Sequence, residues 1–383
     1  AVTWGAGEGM AANVVAAQAG RASEVELCGR CHARRTQLTD SYRHGAPLSD
    51  THRVELLEEG LYFPDGQILD EVYVYGSFRQ SHMYAAGVTC SNCHDPHTLK
   101  LRLEGNALCT TCHQADIYHG SAHHFHKPEE AGGSCVACHM PERTYMVVDP
   151  RRDHSFRVPR PDLADRLGVP DVCTGCHSEQ TAGWADSQLR TWYGENRKNG
   201  FLNYAETFAA ARNDTGDAAS SLVGLASDQD APAIARATAL RTLGEHLGSE
   251  TIQVLVSGLY AADPLERLAA VEALATLGRE LRWRLLSPLL DDPVRSVRIG
   301  VADALADIPV AAVAEPDRPK LQRVVDEYLS AQNLNADRAE HRVNLAGFQL
   351  RRGEVAAAEA AYRDALQLNP RHVPAYVNQA DMY

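Results

Sequence analysis

The sequence predicts a mainly α fold in two parts: a loop-rich segment with short helices, followed by an α-solenoid. Three observations carry this. All ten cysteines lie within the first 176 of 383 residues, as five Cys-x-x-Cys pairs. Fourteen of the 17 histidines lie within the first 177. From about residue 203 the chain turns Ala/Leu-rich with a repeat of about 30 residues, as stacked helical hairpins require. The length exceeds one ordinary domain, and the composition shifts divide it into residues 1–202, 203–328 and 329–383. With 37 Lys+Arg against 50 Asp+Glu, a formal charge of −13, the main partner is expected to be neither nucleic acid nor an anionic membrane. No run of 18 apolar residues occurs, so no membrane span is expected, and residues 1–27 hold no charged-then-apolar leader.

A histidine follows every cysteine pair directly: Cys28-Gly-Arg-Cys31-His32, Cys90-Ser-Asn-Cys93-His94, Cys109-Thr-Thr-Cys112-His113, Cys135-Val-Ala-Cys138-His139 and Cys173-Thr-Gly-Cys176-His177. Composition alone would supply ~0.01 such pentapeptides in this length. The pattern is the c-type haem attachment signature. Two sulfurs three residues apart form thioethers to the two vinyl groups of one porphyrin, and the adjacent imidazole lies on the iron as proximal ligand. Structural zinc uses such pairs two at a time, which leaves one pair over and the histidines unexplained; redox or disulfide pairs share the second defect. The expectation is five covalent haems c on these ten cysteines, with His32, His94, His113, His139 and His177 as proximal ligands. Sharing 150 residues, five haems would form much of their own core, between loops and short helices. Glu71-Val-Tyr-Val-Tyr75 alternates like one short strand, and Trp184 to Tyr193 has a helical apolar pattern that closes the segment.

Nine of the twelve other histidines fall between residues 44 and 154, enough to make many irons bis-histidine. His97, in His94-Asp95-Pro96-His97, is too near its own proximal ligand to reach the opposite face, so it would serve a neighbouring iron. His123 and His126, in His123-His124-Phe125-His126, can present imidazoles to two haems. His154 is isolated among Arg151, Arg152, Arg157 and Arg160, which read as clamps for haem propionates or as a solvated basic face. His44 and His52 complete the histidine candidates, with His124, His82 and His119 in reserve. Met83 is the candidate thioether ligand, which would raise its iron's potential relative to two imidazoles; a packing methionine is the alternative.

The repeats follow. Asp230-Ala-Pro232, Asp263-Pro264 and Asp292-Pro293 each open a helix that later reads Ala239-Leu240, Ala273-Leu274 and Ala304-Leu305. The proline spacings are 32 and 29 and the Ala-Leu spacings 34 and 31, a pattern that resembles HEAT repeats. Asn344-Leu-Ala346 recurs as Asn378-Gln-Ala380 at a shift of 34, with Gly353, Ala358, Tyr362 and Asn369-Pro370 between, and this resembles a tetratricopeptide repeat. One such repeat cannot bury its own face, so the chain is expected to continue beyond Tyr383 or its end to dock on the preceding solenoid.

Long stretches of the chain, including Asp65-Gly-Gln-Ile68, Glu71-Val-Tyr-Val-Tyr-Gly-Ser-Phe78, Gly87-Val-Thr-Cys-Ser-Asn-Cys-His-Asp-Pro-His97, Cys138-His-Met-Pro141, Tyr145-Met-Val-Val-Asp-Pro-Arg-Arg-Asp-His154 and Pro159-Arg-Pro-Asp162, resemble large bacterial multihaem c-type cytochromes that end in HEAT-like and tetratricopeptide repeats. Ser81-His82-Met83 to Cys90 is similar to a stretch in which several such cytochromes carry a distal histidine where Met83 stands. Relatives often carry further haem motifs upstream, so the resemblance implies that Ala1 is an interior residue of a longer precursor. Three functions stay open. The leading one is an exported electron carrier, periplasmic or at the cell surface, whose repeats dock redox partner proteins. The second is an oxidoreductase acting on a small nitrogen or sulfur compound at an open haem. The third is a subunit of a haem-containing polymer, hence a homo-oligomer or filament.

Overall fold

The computed structural model describes residues 22–195, 197, 200 and 202–383; the expectation about Ala1 lies outside them. The chain is mainly helical. Among the described residues its strands form only two-stranded antiparallel ladders: β1 (Arg35–Gln37) with β2 (His52–Val54), β3 (His94–Asp95) with β4 (Lys100–Leu101), and β5 (Glu142–Tyr145) with β6 (Asp149–Arg152). Backbone contacts separate two compact units, residues 1–34 with 55–239 and residues 35–54 with 240–383. Residues 203–239 therefore belong to the unit that carries the cysteine motifs, and the short segment 35–54 to the unit of the later helices.

In the first unit the helices are short: α1 (Ala22–His32), α2 (Tyr75–Phe78), α3 (His82–Ala85), α4 (Cys90–Cys93), α5 (Asn106–Cys109), α6 (Ala115–Tyr118), α7 (Ser121–His124), α8 (Cys135–His139), α9 (Pro161–Leu167), α10 (Val172–Cys176), α11 (Ala182–Tyr193), α12 (Ala205–Arg212) and α13 (Ala218–Ser227). Four of the five cysteine pairs lie within one of these helices, which places their sulfurs about one turn apart on one face; the third ends α5 at Cys109, with Cys112 in the turn that follows. Local caps fix where these turns begin. Asp171 accepts the backbone N–H groups of Cys173 (3.2 Å) and Thr174 (3.1 Å), and Thr181 accepts that of Trp184 at 3.2 Å, satisfying donors that a helix start leaves free. The Trp184–Tyr193 helix forms as the apolar spacing predicts.

The strand expected at Glu71–Tyr75 does not form. Tyr73 takes φ 59°, which breaks the extended backbone, and Tyr75 already starts α2. The alternation instead sends Val72 and Tyr75 into a conventional core with Leu57, Tyr62, Tyr204, Phe208 and Ile234. A different rule holds from 91 to 139, where Gly133 is the one buried residue.

The later helices are α14 (Ala233–Thr242), α15 (Ser249–Gly258), α16 (Pro264–Ala273), α17 (Arg279–Leu286), α18 (Arg295–Ala304), α19 (Arg318–Leu334), α20 (Ala339–Arg351), α21 (Val355–Leu368) and α22 (Val373–Asp381). Proline opens α16 because its missing N–H costs nothing at a helix start, and Asp263 caps the Leu265 N–H at 2.9 Å. Arg236, Arg267 and Arg298 recur at 31-residue intervals and repeat one device, each guanidinium folding back on a carbonyl at the helix start. Arg267 also grips Asp292 with two hydrogen bonds (2.7 and 3.0 Å), and Arg298 grips Glu327 likewise (2.8 and 2.7 Å). Gly353, at φ 78°, turns α20 into α21, and Ala346, Ala358 and Ala365 let the two helices approach closely. Among the described residues no helix is long and apolar enough to cross a membrane.

Candidate haem-binding site

The motif helices are tied in couples. Glu24, one turn before Cys28 on α1, accepts from the Ser91 backbone N–H (2.7 Å), the Ser91 hydroxyl (2.9 Å) and the Thr89 hydroxyl (3.2 Å), and so caps α4 of the second motif. Asn106, three residues before Cys109, does the same for the fourth motif, accepting the Cys135 N–H at 2.9 Å and donating to Gly133 O at 2.8 Å. These caps bring the leading cysteines together. Interaction with Cys90 holds the Cys28 thiol down at about 7 and, with burial, pushes Cys90 up. The same interaction between Cys109 and Cys135 holds Cys135 at about 7 and raises Cys109. Cys93 is within electrostatic reach of Cys112, and Cys138 of Cys176. Each of these contacts joins consecutive motifs, and all ten cysteines are outside disulfides.

Three motif histidines each face a histidine from outside the motifs. His94 and His154 have ring centres 6.3 Å apart and planes 24° from parallel. For His139 and His123 the values are 6.1 Å and 11°. His177 and His126 stand 6.1 Å apart at 36°. An iron held in line by two imidazole nitrogens, each about 2 Å away, sets ring centres about 6 Å apart. One ring of each pair has its tautomer set by a carbonyl. His154 Nδ1 donates to Arg152 O (2.9 Å), His139 Nδ1 to Arg157 O (2.8 Å) and His126 Nδ1 to His124 O (2.5 Å), which leaves the Nε2 lone pair free for a metal. Burial holds His94, His113, His123, His139 and His154 below the usual imidazole range, so they are neutral, as ligation needs.

Neighbouring elements aim these rings. Trp192 of α11 stacks on Phe125 (4.6 Å, 7°), and the Tyr193 hydroxyl donates to His123 O. Together they hold the loop that carries His123 and His126. Gly132 lies so close to the His126 ring that a Cβ there would collide with it.

The residues fit haem c. The ring spacings suit an iron, and from 91 to 139 only Gly133 is buried, so side chains alone do not build a core there. Among the described residues no three His, Cys, Asp or Glu converge on a metal position, as a four-ligand zinc site requires. Two family profiles match the chain. One, described as a doubled CXXCH motif, covers residues 82–117 and so takes in the second and third motifs. The other, HEAT repeats, covers residues 219–306. No curated protein and no solved structure matches. The chain thus carries a region that binds haem c covalently and a helical-repeat region of the kind that binds proteins.

The remaining candidates are placed differently. His97 is exposed on the β3–β4 turn. His44 is exposed, 3.4 Å from the Tyr42 hydroxyl, and His52 is buried on β2 with Nδ1 2.8 Å from the Thr51 hydroxyl; both belong to the second unit. Met83 is half-buried on α3. Among the described residues no histidine ring stacks on His32 or on His113, whose neighbour is Tyr118, edge-on at 5.6 Å. The four arginines already hold protein carboxylates: Arg151 with Glu71 (3.0 Å) and Asp149, Arg152 with Glu142, Arg157 with Asp65, Arg160 with Asp162. Arg151 Nη1 and Arg157 Nη2 nonetheless remain buried without a hydrogen-bond partner. Sequence reasoning missed Glu24, Asn106 and Gly132. The first two carry a faint signal, a polar side chain one turn ahead of a cysteine; Gly132 carries none.

Proposed function

We propose that the chain is a pentahaem c-type cytochrome that carries single electrons, exported to the periplasm or cell surface, with helical repeats that dock a redox partner. The observation that carries this reading is the trio of opposed imidazole pairs, 94/154, 139/123 and 177/126, each joining one motif histidine to one from elsewhere. Bound there, haem supplies a reversible one-electron iron couple. The protein supplies the rest. Ten cysteines attach the five groups, and five histidines stand beside them. With the motif histidines, His154, His123 and His126 would hold the second, fourth and fifth groups, a donor set that would exclude small molecules and favour electron transfer over catalysis. The Glu24 cap on the second motif and the Asn106 cap on the fourth support neighbouring attachment sites for the first and second groups and for the third and fourth. Arg151 and Arg157, each with an N–H group to spare, suit propionates.

Redox titration of the purified holoprotein, followed by visible and electron paramagnetic resonance spectroscopy, tests this reading. We expect reversible one-electron steps and at least three low-spin ferric haems. A spectrum dominated by high-spin iron that shifts with nitrite, hydroxylamine or sulfite would replace the carrier with an enzyme.

A further inference from the structure

One six-residue segment, Arg152 to Arg157, serves two of the opposed pairs. The Arg152 carbonyl receives the Nδ1 proton of His154, which faces His94. Five residues on, the Arg157 carbonyl receives that of His139, which faces His123. Such hydrogen bonds orient a ligating imidazole and set how strongly it donates to the metal.

The segment is held by buried charge. Arg157 donates through Nη1 to Asp65 Oδ2 (3.1 Å) and to Asp65 O (3.2 Å), and through Nε to the Ser155 hydroxyl (3.0 Å). Asp65 is fixed in turn by the Gln67 backbone N–H (3.1 Å) and side-chain amide (2.8 Å). Asp153 accepts the Ser155 N–H at 2.8 Å, and its own N–H donates to Pro141 O at 2.9 Å. Asp65, Asp153 and Ser155 are all buried. Phe156 between them takes φ 48°, a conformation costly for a bulky residue and kept only where its surroundings over-determine it.

We propose that Arg157, anchored on Asp65, is a positioning residue shared by two haems: it sets the two carbonyls that tune the His94/His154 and His123/His139 pairs together. This rests on the reading of those pairs as axial ligands. Loosening the anchor weakens both N–H···O=C bonds, makes both imidazoles poorer donors and moves both potentials upward.

The test compares the holoprotein with Arg157→Lys and with the near-isosteric Asp65→Asn by potentiometric titration, haem content being fixed by alkaline pyridine haemochrome. The expected result is unchanged haem content, two of the five components shifted to higher potential and three unmoved, with altered low-spin g-values for the same two. A uniform shift of all components, no shift, or loss of haem in both variants would reduce Arg157 to a folding element and overturn the proposal. Absence of bis-histidine signals in the parent protein would instead overturn the functional reading beneath it.

Discussion

The imidazole of His154 faces that of His94 with ring centres 6.3 Å apart, although the two residues are 60 positions apart in sequence. Neither backbone neighbourhood requires this. Under the proposed shared ligation, His154 is the residue whose removal has the most local consequence. His154→Ala is expected to leave haem content unchanged, because Cys90 and Cys93 make the attachment, while one of the low-spin ferric signals converts to high spin and one potential rises. Electron paramagnetic resonance beside a haemochrome assay checks both halves.

Gly132→Ala tests the His126/His177 pair without touching either ligand. The added methyl group collides with the His126 ring, so the ring must move off its position 6.1 Å from His177. One haem, distinct from the one changed by His154→Ala, is expected to lose its low-spin signature, and the double variant is expected to show both changes additively.

In the repeats, Arg267→Ala leaves the Asp292 carboxylate buried without its charge partner. The expected cost is about 3–5 kcal/mol of unfolding free energy. Urea denaturation followed by circular dichroism measures it. The haem-region absorbance is expected to be unchanged before the transition.

A pH dependence follows from Asp307. Burial works against its charged form, but hydrogen bonds and charge from Arg282 and Arg279 hold the carboxyl below its ordinary range. A carboxyl depressed in the folded state stabilises fully above its unfolded pKa of about 3.9, and that stabilisation is lost as pH falls through the folded value. Asp307→Asn is therefore expected to be less stable than the parent by about 1–2 kcal/mol at pH 7, with the gap closing below pH ~4. Denaturation curves across that range decide it.

What the sequence revealed and what it hid divide along physical lines. Thioether chemistry dictates Cys-x-x-Cys-His, so the attachment residues are legible one by one. Helix–helix packing dictates proline starts and small residues, so the repeats are legible by period, and the 31-residue recurrence of Arg236, Arg267 and Arg298 stood in plain view. Which histidine faces which is a tertiary fact. His123 and His126 lie three residues apart yet face His139 and His177, a choice made by Phe125 stacking on Trp192 and by Gly132. The packing of residues 35–54, with His44 and His52, beside the later helices has no local signal. Nor does the left-handed Tyr73 that stops Glu71–Tyr75 from forming a strand.

If all ten cysteines are consumed in attaching five haems, intact mass spectrometry of the denatured, reduced and alkylated holoprotein gives a mass increased by five haems with no alkylated cysteine in any motif. Fewer haems, with alkylation at one or more of the pairs, would overturn the pentahaem reading.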